Sequence, residues 1–377
     1  LIRDFKTYIS DHVKNVLGWR TNRKIVVFAV DDFGNVRLAS RQARQELNRA
    51  GLKSYSRFDE FDSLETTQDL EALFDVLTSV KDSRDRYVVF TPFALPCNID
   101  FERIAAEGYQ EYQYELLPDT YAKLAALDDH AYGNAWNLWR QGIDAGIFVP
   151  QFHGREHLNV KVFNEKLRVK DAELMTLLKH RSFTGVRHSG YKTISAVAAF
   201  DFWEFKENEA FRTIIQDGLR AFKVVFGYSA RNFNPPTAKI HPCNYPILAE
   251  SGIEFLDISA IQKQHQGEGV YKTSINYTGK NSEYGQSFMV RNVVFEPTSS
   301  KYTDAVAKAL GQIDKAFFWG KPALISSHRI NFSGYIDEQN RATGLSALKT
   351  LLKKILAKWP DVEFMSSSEL GMIIREE

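Results

Sequence analysis

The sequence has little cysteine. Cys97 and Cys243 are the only two in 377 residues, too few for a disulfide framework, and the usage fits a reducing, cytoplasmic setting. Long apolar runs are missing too. Crossing a bilayer takes about 20 such residues, so no membrane span is expected. No secretory leader is legible, although the first residue is Leu1 and not Met, which leaves a trimmed one open. Charge of one sign is lacking as well: 48 Lys and Arg face 47 Asp and Glu, for a net +1. Such a balance gives no field to attract nucleic acid or an anionic membrane. Repeats, linkers and low-complexity tracts are also absent, so residues 1–377 are expected to form a single domain.

Aromatic residues are in excess, with 27 Phe, 16 Tyr and 6 Trp. Some must pack a core, and others can stack on sugar rings in a cleft. Residues 1–20 carry Ile2, Phe5, Ile9, Val13 and Val16 at helical spacing and predict a helix docked on the body. Ile25 to Val30 is a continuous apolar run, as in a strand buried on both faces. Further strands are expected at 87–91, 147–152, 183–187, 223–227, 254–258, 288–295, 323–327 and 362–366. Helical patterns lie at 68–80, 206–222, 303–319 and 343–358. Strands alternating with helices predict a parallel sheet, and seven or eight units predict a (β/α) barrel. The polar, glycine-bearing stretch Gln262 to Gln286 reads as a long surface loop.

Five groups of polar residues fall at the carboxyl ends of these strands, where barrels build active sites. Asp31 and Asp32 follow the first strand, and successive side chains diverge, so one acid can bind a metal while the other faces a substrate. His153-Gly154-Arg155-Glu156-His157 places two imidazoles at i and i+4, the spacing that shares one metal on a helix turn. His328 ends the apolar strand Ala323 to Ser327. Asn234-Pro235-Pro236-Thr237 forms a rigid extended turn able to aim a backbone N–H into a cleft. Asp257 ends another strand.

In this order, Asp31-Asp32, His153 to His157, Asn234-Pro235-Pro236, Asp257 and His328 resemble the polysaccharide deacetylase family, the NodB-homology domain of carbohydrate esterase family 4. The resemblance spans about residues 24–330. It implies a distorted (β/α) barrel of about seven parallel strands, here with large insertions. It implies a divalent metal, commonly zinc, on Asp32, His153 and His157, and removal of an acetyl group from an N- or O-acetylated sugar. In that reading Asp31 is the general base and His328 the general acid, held by Asp257. Asn234, Pro236, Thr237 and Arg155 line the substrate and oxyanion site. The sequence departs from the family at Gly154, where Thr or Ser is usual, and at Thr237, where Tyr is usual. Phe33 intervenes between the Asp pair and Gly34. Asn234 stands where an Arg normally pairs with the catalytic acid; Arg155, Arg187 and Arg231 are the candidates to replace it. Two other readings compete: a catalytically inactive sugar-binding protein on the same barrel, and another metal-dependent carbohydrate-active hydrolase.

Overall fold

The computed structural model describes residues 11–186 and 188–376. Ile2, Phe5 and Ile9 of the expected first helix therefore lie outside the described residues, as does Arg187. Residues 11–13 are helical, but Val13 and Val16 are exposed. This segment attaches through polar groups, with Asp11 accepting from Gln312 and Asn15 from Asn292.

Nine parallel strands make the main sheet. They are β1 (Ile25–Phe33), β2 (Phe90–Ala94), β3 (Gln151–Phe152), β4 (Asn232–Phe233), β5 (Phe255–Asp257), β6 (Ser287–Met289), β7 (Val293–Val294), β8 (Ala323–His328) and β9 (Glu363–Met365). Their order is β6-β5-β4-β3-β2-β1-β8-β7, and β9 also pairs with β1. Every β1 residue is buried, as its apolar run requires. One edge of β1 pairs with β8 from Val26 to Asp31. The other is shared, with β9 on Ile25 to Val27 and β2 on Phe28 to Phe33.

The two ends of this order, β6 and β7, are separated in the chain only by residues 290–292. Four Cα steps of about 3.8 Å span at most roughly 15 Å, so the sheet must curl until its ends meet. The result is a distorted (β/α) barrel closed by a stretch of peptide and not by a ladder. The single strand expected at 288–295 is thus two strands. Asn292 causes the break: its side chain accepts from Leu324 N–H and donates to the Pro322 carbonyl, replacing ladder bonds.

Three other expectations change. Residues 223–227 are the end of the helix Asn208–Phe226, stopped by Gly227 at φ +82°. Phe211, Ile215, Leu219, Phe222 and Phe226 continue one buried face while Val224 is exposed, a 3.6-residue period that the short apolar run conceals. Residues 183–186 form no strand. Gln262 to Gln286 contains an antiparallel hairpin, Ile261–Gly267 with Val270–Ile275, turning at Glu268 and Gly269, both at positive φ. The helices expected at 68–80, 303–319 and 343–358 are found at Thr67–Leu77, Ala305–Phe318 and Glu338–Lys358. Thr66 caps the first in a capping box with Asp69.

The helix Glu338–Lys358 buries Leu345, Leu348, Leu351, Leu352 and Ile355 against the barrel. Its Gly344 lies flat on the backbone of Asn331; a Cβ there would sit 1.6 Å from the Asn331 carbonyl oxygen. Gly344→Ala should therefore cost about 1–3 kcal/mol by overpacking, read as a lower urea midpoint at unchanged slope. An unchanged midpoint would show that the helix can shift.

Candidate metal and catalytic centre

The strand ends converge on one cleft of about 580 Å³ whose walls include Asp31, Asp32, His153, His157, Asn234, Asp257 and His328. Asp31 and Asp32 leave β1 in opposite senses because Asp32 takes φ +74°, a strained conformation for a residue with a Cβ. Asp32 Oδ1 lies 3.4 Å from His153 Nε2 and 3.3 Å from His157 Nε2. Asp31 turns the other way and meets Arg291.

His153 follows β3 directly. Its Nδ1 is 2.8 Å from the Asn234 carbonyl oxygen, a bond that only an Nδ1–H can donate. Nε2 is left facing Asp32 and is buried without a hydrogen-bond partner, as is His157 Nδ1. Burial pushes His157 down to about 3 against the pull of Asp32, so the ring is neutral at pH 7. The two rings do not ride on a helix turn. Residues 153–157 are a loop that doubles back at Gly154, where φ is +112°. A side chain there would be strained and would crowd Pro236, which accounts for glycine in this position.

Asp32, His153 and His157 offer ligand atoms within 4.8 Å of one another. Two imidazoles, each with a buried nitrogen lacking a hydrogen-bond partner, and one carboxylate fit a divalent metal of the zinc type. Burial opposes the charge on Asp32, and the neighbouring His157, His153, Arg37 and His328 hold its carboxyl well below the usual range.

Asp31 is held by a two-pronged ion pair, with both Nη atoms of Arg291 at 2.7 Å from its oxygens. Nε of the same guanidinium donates to Asp257 Oδ2 at 2.7 Å. Burial would push the Asp31 carboxyl up, but Arg291 outweighs it and holds the group below the usual range. Asp257 stays above the usual range, through burial and the nearby Asp31 charge. The expected role of Asp257 changes accordingly: its carboxylate binds Arg291 and has no contact with His328. The partner of His328 is Glu296, whose Oε1 is 2.6 Å from Nδ1. Burial pushes His328 down, but Glu296, Asp32 and Asp31 raise it to about 9. Nε2 of His328 is 3.9 Å from Asp31 Oδ2. Glu296 in turn accepts from Arg57 and from Asn331 Nδ2 through Oε2.

The proline turn places Thr237 and Ala238 on the cleft wall, both at positive φ. Pro236 packs beside Gly154, and Asn234 donates to the Asp257 carbonyl at 3.4 Å. Arg155 stands apart from the cleft. It pairs with Glu156 and Asp217 and lies over the Tyr114 ring, so it serves the insertion between β2 and β3. Arg231 pairs with Glu254. The guanidinium on Asp31 is thus Arg291, which is not among the arginines that the sequence suggests. The signal was present as a lone cation inside the run Phe288 to Phe295, with Glu296 immediately after it.

No protein-family model and no curated protein matches the sequence. Among solved structures, a probable polysaccharide deacetylase from Pseudomonas aeruginosa PAO1 is similar over 94% of this chain and 92% of that one, at 9% identity and a TM-score of 0.47. A provisionally assigned glycoside hydrolase/deacetylase from Parabacteroides distasonis covers 95% and 72%, at 10% identity and a TM-score of 0.49. A CE4 family pseudoenzyme from Bacillus anthracis covers 93% and 66%, at 12% identity and a TM-score of 0.37. These likenesses are remote, and the functional reading stands on the side chains.

Two outcomes test the geometry. Asp32→Ala should abolish binding of added zinc, followed by elemental analysis, while circular dichroism stays native; full metal occupancy would remove Asp32 from the ligand set. Glu296→Gln should lower the His328 pKa from about 9, followed by NMR titration of the ring, because the carboxylate that favours the imidazolium is gone. An unmoved titration would deny the pair.

Proposed function

We propose that this protein is a metal-dependent hydrolase that removes an acetyl group from an N- or O-acetylated sugar. The observation that carries the reading is the division of labour at the end of β1. Asp32 joins two neutral or orphaned imidazoles, while its neighbour Asp31 is held ionised by Arg291 beside a protonated His328 in the same cleft.

Asp32, His153 and His157 would hold the metal, with zinc the best match to the donors. When bound it supplies a Lewis acid that brings the pKa of water from 15.7 to about 7. Asp31 orients the attacking water and accepts its proton, and Arg291 keeps the carboxylate charged and aimed. A backbone N–H of the Thr237–Ala238 turn donates to the acyl oxygen as negative charge gathers there. His328 is charged at neutral pH and donates its Nε2 proton to the departing amine or alkoxide. Glu296 fixes the ring by its Nδ1–H and so leaves Nε2 toward the cleft. Arg291 supplies the guanidinium that the proline turn lacks, so the Asn234 position does not argue for an inactive binding protein.

Acetate release from acetylated sugars tests the activity directly. Asp31→Asn should retain metal and lose about 10²–10⁴-fold in kcat; a fully active variant would end its role as base. His328 acts in its protonated form, so kcat should fall as pH rises through about 9. In Glu296→Gln that alkaline limb should move to lower pH, and a limb that stays in place would exclude His328 as the acid.

A further inference from the structure

One cation in the cleft has no part in that chemistry. Arg37 lines the cleft beside Asp32, His157 and Phe58 and is only 9% exposed. Its Nε is 3.1 Å from Asp62 Oδ2, yet the hydrogen points out of line and both atoms lack a hydrogen bond. None of its nitrogens donates a hydrogen bond among the described residues. Asp62 is already served by Arg329, whose Nε and Nη2 reach Oδ1 at 3.2 and 2.7 Å. The other cleft cations have carboxylate partners: Arg291 binds Asp31 and Asp257, and His328 pairs through Nδ1 with Glu296. Of the two guanidinium groups on the cleft wall, Arg37 is the one whose donors lack a hydrogen bond among the described residues.

Its position is fixed by packing. The guanidinium stacks 5.2 Å over the Phe58 ring, Arg57 lies 5.1 Å from the same ring, and the Phe58 edge touches His328. Arg57 is itself tied to Glu296 and Asn331. Facing walls offer Ile258, Ser259 and Ala260, which are neutral. A mostly buried guanidinium without hydrogen bonds is costly unless a ligand supplies acceptors, and its fork of N–H groups matches an oxyanion in two-pronged fashion.

We infer that Arg37 receives an oxyanion group of the substrate sugar, a carboxylate or a phosphate ester, and so makes this cleft selective for acidic acetylated sugars. The inference rests on the proposed function only in taking the ligand to be a sugar. The binding itself needs no turnover.

The test is calorimetric titration of the full-length protein, metal-loaded and after chelation, with glucuronate, glucose 6-phosphate and glucose. Arg37→Gln should weaken one or both acidic sugars by about tenfold or more, with or without metal, and leave glucose unchanged. The acid that loses most identifies the group. Arg37→Lys, which keeps the charge and loses the fork, should weaken glucuronate by less. For the wild type, added salt should weaken the acidic sugars alone. Several results would overturn the inference: no binding of either acid to the wild type, equal binding to wild type and Arg37→Gln, a parallel loss for glucose, or affinity that vanishes with the metal and ignores Arg37. If no acetylated sugar releases acetate but the Arg37 discrimination stands, the deacetylase reading falls and this one remains.

Discussion

The buried guanidinium of Arg291 is the constraint on which the site depends. It occupies the three-residue crossing where the chain leaves one end of the sheet and joins the other. There it binds acids from two different strand ends, Asp31 and Asp257. Replacing it would leave two buried carboxylates facing each other without a cation, an arrangement that costs far more than a lost surface pair. A single side chain therefore fastens the barrel seam and holds Asp31 charged.

Around this centre the polar groups form tiers. Arg329 lies beneath the Asp pair and bonds Asp62, Glu65 and the Asn35 carbonyl. Glu65 accepts the Gly34 N–H and bonds Tyr121 and Trp139. The turn after β1 is thus built on a buried ionic network enclosed by aromatic rings. Such a network holds a strained residue like Asp32 more firmly than apolar packing alone would. Part of the aromatic excess is explained here, since Trp139 and Tyr121 give both ring area and a donor.

Much of this was legible in the sequence because it is local. The burial of β1 follows from its apolar run, and the parallel sheet from strand and helix alternation. Asp31-Asp32, His153 and His328 each end an apolar segment, so their place at one rim follows from the strand assignments, and His157 follows His153 at i+4. What was illegible depends on closure. Whether Glu296 or Asp257 reaches His328 is decided by which strands become neighbours when the sheet curls, and β7, not β5, lies beside β8. The same curl brings Arg291 to Asp31 while Arg155 turns outward to Asp217. The loop path at Gly154 was misread because i, i+4 spacing suits a helix turn and a tight loop equally. Val224 to Phe226 was misread because three apolar residues carry no period.

The strand β1 carries a further consequence for biosynthesis. It is apolar on both faces, yet β8 and β9, which cover one whole edge and part of the other, are made late. During translation an adhesive segment must wait, unpaired along much of its length, while most of the polypeptide emerges. Such delayed, long-range pairing slows folding and exposes the nascent chain to self-association. Asp31 meets its cross-strand neighbour His328 only at that final stage, so an incomplete chain cannot bring these two side chains together.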